Sequence, residues 1–145
     1  MYEKILIATD GSEPSQKAED HGLQLAHELG ASVTVLYVAE ITYAPQPIPG
    51  SPPILLEEQT EKLKEAGQKI VNSVKETGKD KGVQVTPVVM VGHPANEIIN
   101  HAKTHDLVVV GTLGGSGITH LLMGSVAEKV VRHAPVPVLV VRYKK

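Results

Sequence analysis

Apolar residues in this chain fall into short continuous runs that alternate with segments of helical periodicity. The runs lie at 5–8, 33–38, 83–91, 107–110 and 136–141. A continuous run of Val, Ile and Leu is typical of a strand that is buried on both faces of a parallel sheet. Between the runs, apolar residues recur every three or four positions, which is the spacing of one helix face. The pattern predicts five strands and four helices in strict alternation.

Turn and cap residues separate these elements. A polar turn at 9–12 follows the first run, Pro14 suits the first turn of a helix, and Gly30 is expected to end that helix. Residues 41–53 contain five prolines and a glycine, so we expect an irregular loop there. The second helix is expected to end at Gly78. The expected core faces are Ala18, Gly22, Leu25, Ala26 and Leu29 in the first helix, Leu56, Leu63, Gly67, Ile70, Val71 and Val74 in the second, and Val126, Val130 and Val131 in the last.

Strict alternation implies parallel strands joined by right-handed crossovers. The compact arrangement is an α/β fold with a single open, doubly wound sheet and helices on both faces. We predict strand order 3-2-1-4-5 in one domain that spans residues 1–145. Pro87 cannot donate to a ladder, which places the third strand at an edge. Such sheets bind ligands where the winding reverses, here between the first and fourth strands, which end at Asp10 and Gly111.

The strongest chemical candidate is the glycine-rich connection after the fourth strand. Gly111 and Gly114 are followed, after nine residues, by Gly124 and Ser125. Glycines let backbone amides approach an anion, and the N-terminus of a following helix adds its dipole. Ser125 and Glu128 have capping-box spacing, so we expect the last helix to begin here with Ser125 as its cap. The connection suits a nucleotide phosphate, although it is neither a Walker A motif nor a Gly-x-Gly-x-x-Gly fingerprint.

Composition and charge exclude several classes of function. The chain of 145 residues has no cysteine, so disulfides, thiolate metal sites and cysteine catalysis are excluded. Its net charge of −2 and its four aromatic residues, all Tyr, offer neither a basic face nor a stacking surface for nucleic acid. There is no signal-peptide pattern at the start and no apolar run near the ~18 residues of a membrane helix. We expect a cytoplasmic protein without nucleic-acid or membrane partners.

These motifs closely resemble the ATP-binding branch of the universal stress protein family, whose pattern is Gly-x2-Gly-x9-Gly-Ser/Thr. Gly111, Gly114, Gly124 and Ser125 match that pattern in full, and the resemblance spans essentially the whole chain. It implies a Rossmann-like domain that binds ATP with a divalent ion such as Mg²⁺, acts in regulation or the stress response, and forms a homodimer.

The resemblance also implies roles for individual residues. Asp10, flanked by Ala8 and Thr9, would lie against the base and ribose, and the backbone of Val38 would contact adenine. The ribose and phosphates would be held by Gly111, Thr112, Gly114, Gly124, Ser125 and, through its backbone, Val126. Residues 111–125 contain neither Lys nor Arg, and His120 is their one ionisable group. A triphosphate would therefore depend on backbone amides, the helix dipole and Mg²⁺ for neutralisation.

Several alternatives stay open at this stage. Asp10 could be the cap of the first helix. His101 and His105 have the spacing of a zinc pair but lack a third ligand, and solvent-facing positions are the preferred interpretation.

The preferred function is a nucleotide-binding regulator without catalytic residues, in which ATP hydrolysis is slow at most. An ATP-using transferase or adenylating enzyme and a structural dimer without ligand are the alternatives. We also expect the last strand, at 136–141, to pair with its copy in a second subunit, because few charges protect its edge.

Overall fold

The structure is a computed structural model that describes residues 1–44, 48–112 and 123–143. In this part of the chain the helices are α1 (Glu13–Leu29), α2 (Glu57–Asp80), α3 (Pro94–Ala102) and α4 (Ser125–His133). The strands are β1 (Lys4–Ala8), β2 (Ser32–Glu40), β3 (Tyr43–Ala44), β4 (Ile54–Leu55), β5 (Val85–Gly92), β6 (Leu107–Gly111) and β7 (Val138–Val141). The predicted alternation is confirmed, with the short pair β3 and β4 added before α2.

The main sheet has five parallel strands in the order β5-β2-β1-β6-β7. This is the predicted order 3-2-1-4-5. β1 lies in the middle, where Ile5 pairs with Val33 of β2 on one side and with Leu107 of β6 on the other. The strand that contains Pro87 is β5, and it lies at the edge as predicted. The winding therefore reverses between β1 and β6.

The core consists of two layers that share the central strands. Ile5 and Ile7 face α1 and α2, whereas Leu6 and Ala8 face α3 and α4. Ile5, Leu6 and Ile7 are all fully buried, as expected for a strand that is covered on both faces. Since the chain contains neither Phe nor Trp, both layers are filled mainly by Val, Ile, Leu and Ala.

The start and end of α1 follow the sequence signals with one correction. Ser12, not Asp10, is the N-cap, and its side chain accepts a hydrogen bond from Ser15 N at 3.4 Å. Pro14 lies in the first turn, and Gly30 ends the helix with a left-handed φ of 66°. The interpretation of Asp10 as the helix cap is therefore wrong, and its carboxylate braces the preceding turn instead.

Two of the predicted core faces are partly wrong. Leu29 is 47% exposed and Leu23 is buried in its place, because the buried face of α1 runs through Ala18, Gly22 and Leu23 to Ala26. In α4 the buried residues are Ala127 and Val130, whereas Val126 and Val131 lie on the flanks of this face and are exposed. Alanines lie on the side of each helix that approaches the sheet, together with one larger apolar residue in each, Leu23 in α1 and Val130 in α4.

The segment 41–53 is not wholly irregular, because Tyr43–Ala44 pairs in antiparallel fashion with Ile54–Leu55. The paired positions exclude every proline of the segment, so the ladder is compatible with the composition. The second helix also differs from the prediction, since it continues through Gly78 to Asp80. Gly78 is buried against Val85, and a Cβ there would collide with that side chain. This glycine permits close packing rather than ending the helix.

Candidate functional site

A cavity of about 440 Å³ lies at the carboxyl ends of the strands, where the winding reverses between β1 and β6. Every predicted site residue that the structure describes lines it: Ala8, Thr9, Asp10, Val38, Gly111, Thr112, Gly124, Ser125 and Val126. Gly114, together with His120, lies outside the described residues. Residues that are far apart in the sequence thus converge on one cleft, as the strand order requires.

The turn after β1 presents Asp10 at the cavity through a set of local hydrogen bonds. Asp10 Oδ1 accepts from Ser12 N at 2.9 Å and from Ser15 Oγ at 2.7 Å. The backbone amide of Asp10 in turn donates to Ser15 Oγ at 3.2 Å. Gly11 has a left-handed φ of 83°, which allows the chain to reverse direction here without side-chain strain. The carboxylate of Asp10 is therefore held by the turn and by α1.

Gly111 and Thr112 form the opposite wall of the cleft. A Cβ at Gly111 would lie 2.8 Å from Pro14 O and 3.0 Å from Pro14 C, so this glycine lets β6 approach the first turn of α1. Thr112 is buried; its amide donates to Val141 O at 3.1 Å, and its hydroxyl accepts from Tyr143 N at 3.1 Å. The last residue of β7 and the segment that follows it therefore hold Thr112, the first residue after β6.

The N-terminus of α4 opens into the cavity. Its N-cap is Gly124, which has no side chain to cap the helix and whose amide donates to Thr112 O. Ser125 is the first helical residue and Glu128 pairs with Arg132 at 2.6 Å, so the predicted capping box is wrong although the helix begins where expected. The first intrahelical amide donor is Glu128 N, which bonds Gly124 O at 3.0 Å. The three preceding amides, of residues 125–127, have no acceptor within the helix.

The walls of the cavity are apolar and its charged groups are acidic. Leu36, Val38, Ile98 and Val110 supply apolar surface from β2, α3 and β6. Among the described lining residues the ionisable groups are the carboxyls of Asp10 and Glu40 and the phenol of Tyr37, with no Lys, Arg or His. Burial raises the pKa of the Tyr37 phenol, and the charge of Asp10 raises it further. The described part of the site thus offers backbone amides but no side-chain cation to an anionic ligand.

Comparisons with known proteins identify the family. The profile of the universal stress protein family matches residues 1–142. The chain belongs to the universal stress protein family. It is 40% identical over 148 residues to the universal stress protein MJ0531 of Methanocaldococcus jannaschii, an alignment that covers 100% of this chain and 85% of that protein.

Solved structures of this family are similar over nearly the full length. The universal stress protein UspA from Lactobacillus plantarum superposes with a TM-score of 0.85 at 25% identity, and 97% of this chain and 98% of that chain are covered. A universal stress protein crystallised in complex with cAMP has a TM-score of 0.70 at 27% identity and covers 97% of both chains. The Usp fold predicted from the sequence is therefore confirmed.

Sequence reasoning missed several lining residues of this universal stress protein. Glu40 was missed because β2 runs two residues beyond the predicted end of its apolar run. Pro94, the first residue of α3, was also missed. A helix that begins directly after β5 starts at the carboxyl edge of the sheet, where the cavity lies, so its position could have been predicted. Leu63 belongs to the predicted apolar face of α2 and extends that face to the cavity. The remaining missed residues are Ser15, Leu36, Tyr37, Ile98, Val110 and Ala127.

The two histidines with zinc-pair spacing are built into the fold at the opposite end of the sheet. His101 Nδ1 lies 2.9 Å from Glu97 O, and His105 Nε2 lies 2.8 Å from Thr34 Oγ1. Both side chains are half-buried, so the expectation that they face solvent is wrong. No three His, Asp or Glu side chains among the described residues come together as a metal-binding group.

Among the helices of the described residues, none is long and apolar enough to span a membrane.

Proposed function

We propose that this protein binds an adenine nucleotide, specifically ATP with Mg²⁺, and acts as a nucleotide-dependent regulator in the stress response. The observation that carries the proposal is the cavity between β1 and β6, which combines apolar walls with the N-terminus of α4. A helix N-terminus attracts phosphate through free amides and its dipole, and an apolar cleft suits a purine base. The cAMP complex of a related structure supports an adenine ligand for this fold.

The lining residues fit the proposed ligand as follows. The base would lie between Val38 and the apolar wall of Val110, with Asp10 near the ribose. The phosphates would lie over the amides of residues 125–127, with Gly111, Thr112, Gly114 and Gly124 allowing their approach. The volume of about 440 Å³ suits a ligand of nucleotide size.

Magnesium fits the donor set of the site. Mg²⁺ in nucleotide sites is usually held by one or two carboxylates together with phosphate oxygens and water, and it does not need a cage of protein ligands. Asp10 and Glu40 line the cavity, and no basic side chain in the described lining competes with the cation for the phosphates. Bound Mg²⁺ would supply the charge neutralisation that these side chains do not.

The decisive experiment is calorimetric titration with ATP, in buffer with Mg²⁺ and in buffer with EDTA. We expect clearly tighter binding with Mg²⁺. Gly124→Val should abolish binding, because its branched side chain would stand in the path of the phosphates. Gly124 has φ −76° and ψ 169°, an extended conformation that valine tolerates, so the fold should persist. Absence of binding in both buffers would refute the proposal and favour the structural dimer.

Regulation rather than turnover is the second part of the proposal. The described lining contains no Arg to stabilise a phosphoryl-transfer transition state and no His to act as a base.

We also propose that two subunits associate through β7, which is at the edge of the main sheet. A cytoplasmic location and a single domain over residues 1–145 belong to the same proposal.

A further inference from the structure

Two side chains of α1 lie behind the turn that follows β1. Ser15 and Glu19 are four residues apart and therefore share one face of the helix. Ser15 Oγ donates to Asp10 Oδ1 at 2.7 Å and accepts from Asp10 N at 3.2 Å. Thr9 Oγ1 donates to Glu19 Oε2 at 2.5 Å and accepts from Gly11 N at 3.1 Å. Ser15 thus holds Asp10, and Glu19 holds Thr9, whose hydroxyl in turn holds Gly11.

Glu19 occupies a position that is unfavourable for a carboxylate. Burial raises the pKa of its carboxyl, the charges of Asp20 and Asp10 raise it further, and the hydrogen bond from Thr9 lowers it. A negative charge here also repels an anionic ligand in the cavity. Any benefit of Glu19 must therefore come from the hydrogen bond that it accepts, and not from its charge.

The chemistry of the carboxylate explains why it suits this position. An ionised carboxyl group only accepts hydrogen bonds, so the Thr9 hydroxyl must direct its proton at Glu19. A lone pair of the same hydroxyl is then available to the amide of Gly11. This hydrogen-bond chain runs in one direction, from Gly11 through Thr9 to Glu19, and it stabilises the left-handed turn at Gly11, whose φ is 83°.

We propose that Glu19 is a positioning residue of the ligand site, which fixes the turn at 9–11 so that the Asp10 carboxylate faces the cavity. The inference rests on the proposed nucleotide binding and names a residue outside the cavity lining on which that binding depends. Glu19 itself makes no contact with ligand in this account. It acts through Thr9 and Gly11.

Three variants separate positioning from charge. Glu19→Met keeps length and helix propensity but removes the acceptor, Glu19→Gln keeps an acceptor oxygen, and Asp20→Asn removes one charge from the adjacent, exposed position. Loss of a hydrogen bond to a charged group predicts that Glu19→Met weakens binding of Mg·ATP roughly ten-fold. Glu19→Gln should stay within about two-fold of the wild type, since it retains the acceptor. Asp20→Asn should bind equally well or more tightly, because a repulsive charge is gone.

The sign of the effect decides the outcome. If charge alone mattered, Glu19→Met would bind the nucleotide more tightly than the wild type, and that result would overturn the inference. Equal affinity of Glu19→Met and the wild type would also overturn it. Thermal unfolding of all three variants shows whether the loss of affinity in Glu19→Met accompanies a general loss of stability. In the conservative variant Glu19→Gln, which keeps the acceptor, both affinity and melting temperature should stay close to those of the wild type.

A measurement without ligand keeps the inference testable if the wild type fails to bind Mg·ATP. In NMR spectra of the free protein, the amides of Asp10, Gly11 and Ser12 should shift and exchange faster in Glu19→Met, but not in Glu19→Gln or Asp20→Asn. Unchanged turn amides in Glu19→Met would refute positioning, whatever the ligand results. Perturbed turn amides together with a wild type that binds no nucleotide would refute the proposed function and leave the positioning role supported.

Discussion

Replacement of Gly111 by alanine tests whether the close approach of β6 to α1 supports both the fold and the site. The new Cβ would lie 2.8 Å from Pro14 O and 3.0 Å from Pro14 C. Both are backbone atoms in the first turn of α1, which Gln16 N closes by donating to Ser12 O at 2.9 Å. Relief of both contacts requires a backbone movement of about 0.5–0.7 Å, because comfortable separations are ~3.5 Å or more.

Overpacking of this kind costs about 1–3 kcal/mol of unfolding free energy. For a chain of this length, that cost lowers the melting temperature by about 3–9 °C. The movement also displaces Ser15, the next residue of α1, which hydrogen-bonds to Asp10. Gly111→Ala should therefore weaken nucleotide binding as well as lower the melting temperature.

Gly92→Ala is a matched control, because Gly92 also ends a strand of the same sheet. A Cβ there would meet the Glu97 side chain, with Oε1 at 3.1 Å, and that side chain can rotate away. Alanine restricts the unfolded chain equally in both variants, so the difference between them isolates the contact with the backbone. Differential scanning calorimetry and ATP titration on both variants measure it. Equal melting temperatures for the two variants would refute the reasoning.

Three further predictions follow from other features of the molecule. The amides of Lys4 and Glu3 each donate to the Asp106 carboxylate at 2.9 Å and lower its pKa. The ionised carboxylate therefore stabilises the fold above its usual titration range, and this contribution is lost as the pH falls through the depressed pKa. Denaturant titrations at several pH values should show that Asp106→Asn lacks this pH-dependent part of the stability. Light scattering at micromolar concentration should report a dimer for the wild type and a monomer for Val140→Lys; a monomeric wild type or a dimeric variant would exclude β7 as the interface. ATP turnover should lie far below the ~1–100 s⁻¹ of dedicated phosphoryl-transfer enzymes, and enzyme-like rates that disappear in Gly124→Val would revive the enzyme alternative.

The fold could be predicted from the sequence because its central strands, such as β1 and β6, are buried on both faces. Runs such as 107–110 have no polar interruption, and their alternation with helical segments leaves few arrangements of a parallel sheet. Once the order is fixed, Asp10 and Gly111 must meet at the same cleft. The convergence of the predicted residues on one cavity is therefore a consequence of topology, whereas their contact with nucleotide stays a prediction.

What could not be predicted depends on the contacts that residues make in the folded chain. The sequence does not reveal that Gly78 packs against Val85 inside a continuous helix, because a glycine that ends a helix and one that allows close packing look alike. The Ser-x-x-Glu spacing at 125–128 does not form a capping box for a local reason, since Gly124 takes the N-cap position and Glu128 pairs with Arg132 on the same helix. Local sequence patterns predict where helices and strands lie, whereas the contacts made in the folded chain determine the role of each residue.

The first turn of α1 joins the stability of the fold to the geometry of the site. Its Pro14 backbone lies against Gly111, and its Ser15 hydroxyl holds Asp10. A substitution on either side of this contact changes both properties, so loss of ligand binding in Gly111→Ala would not by itself identify a ligand contact. Glu19 lies one helical turn after Ser15 on α1 and accepts a hydrogen bond from Thr9, in the turn at 9–11 that contains Asp10. If the turn at 9–11 controls binding and the packing does not, Glu19→Met should reduce affinity with a smaller loss of melting temperature than Gly111→Ala. A larger loss of melting temperature in Glu19→Met than in Gly111→Ala would assign the effect to packing.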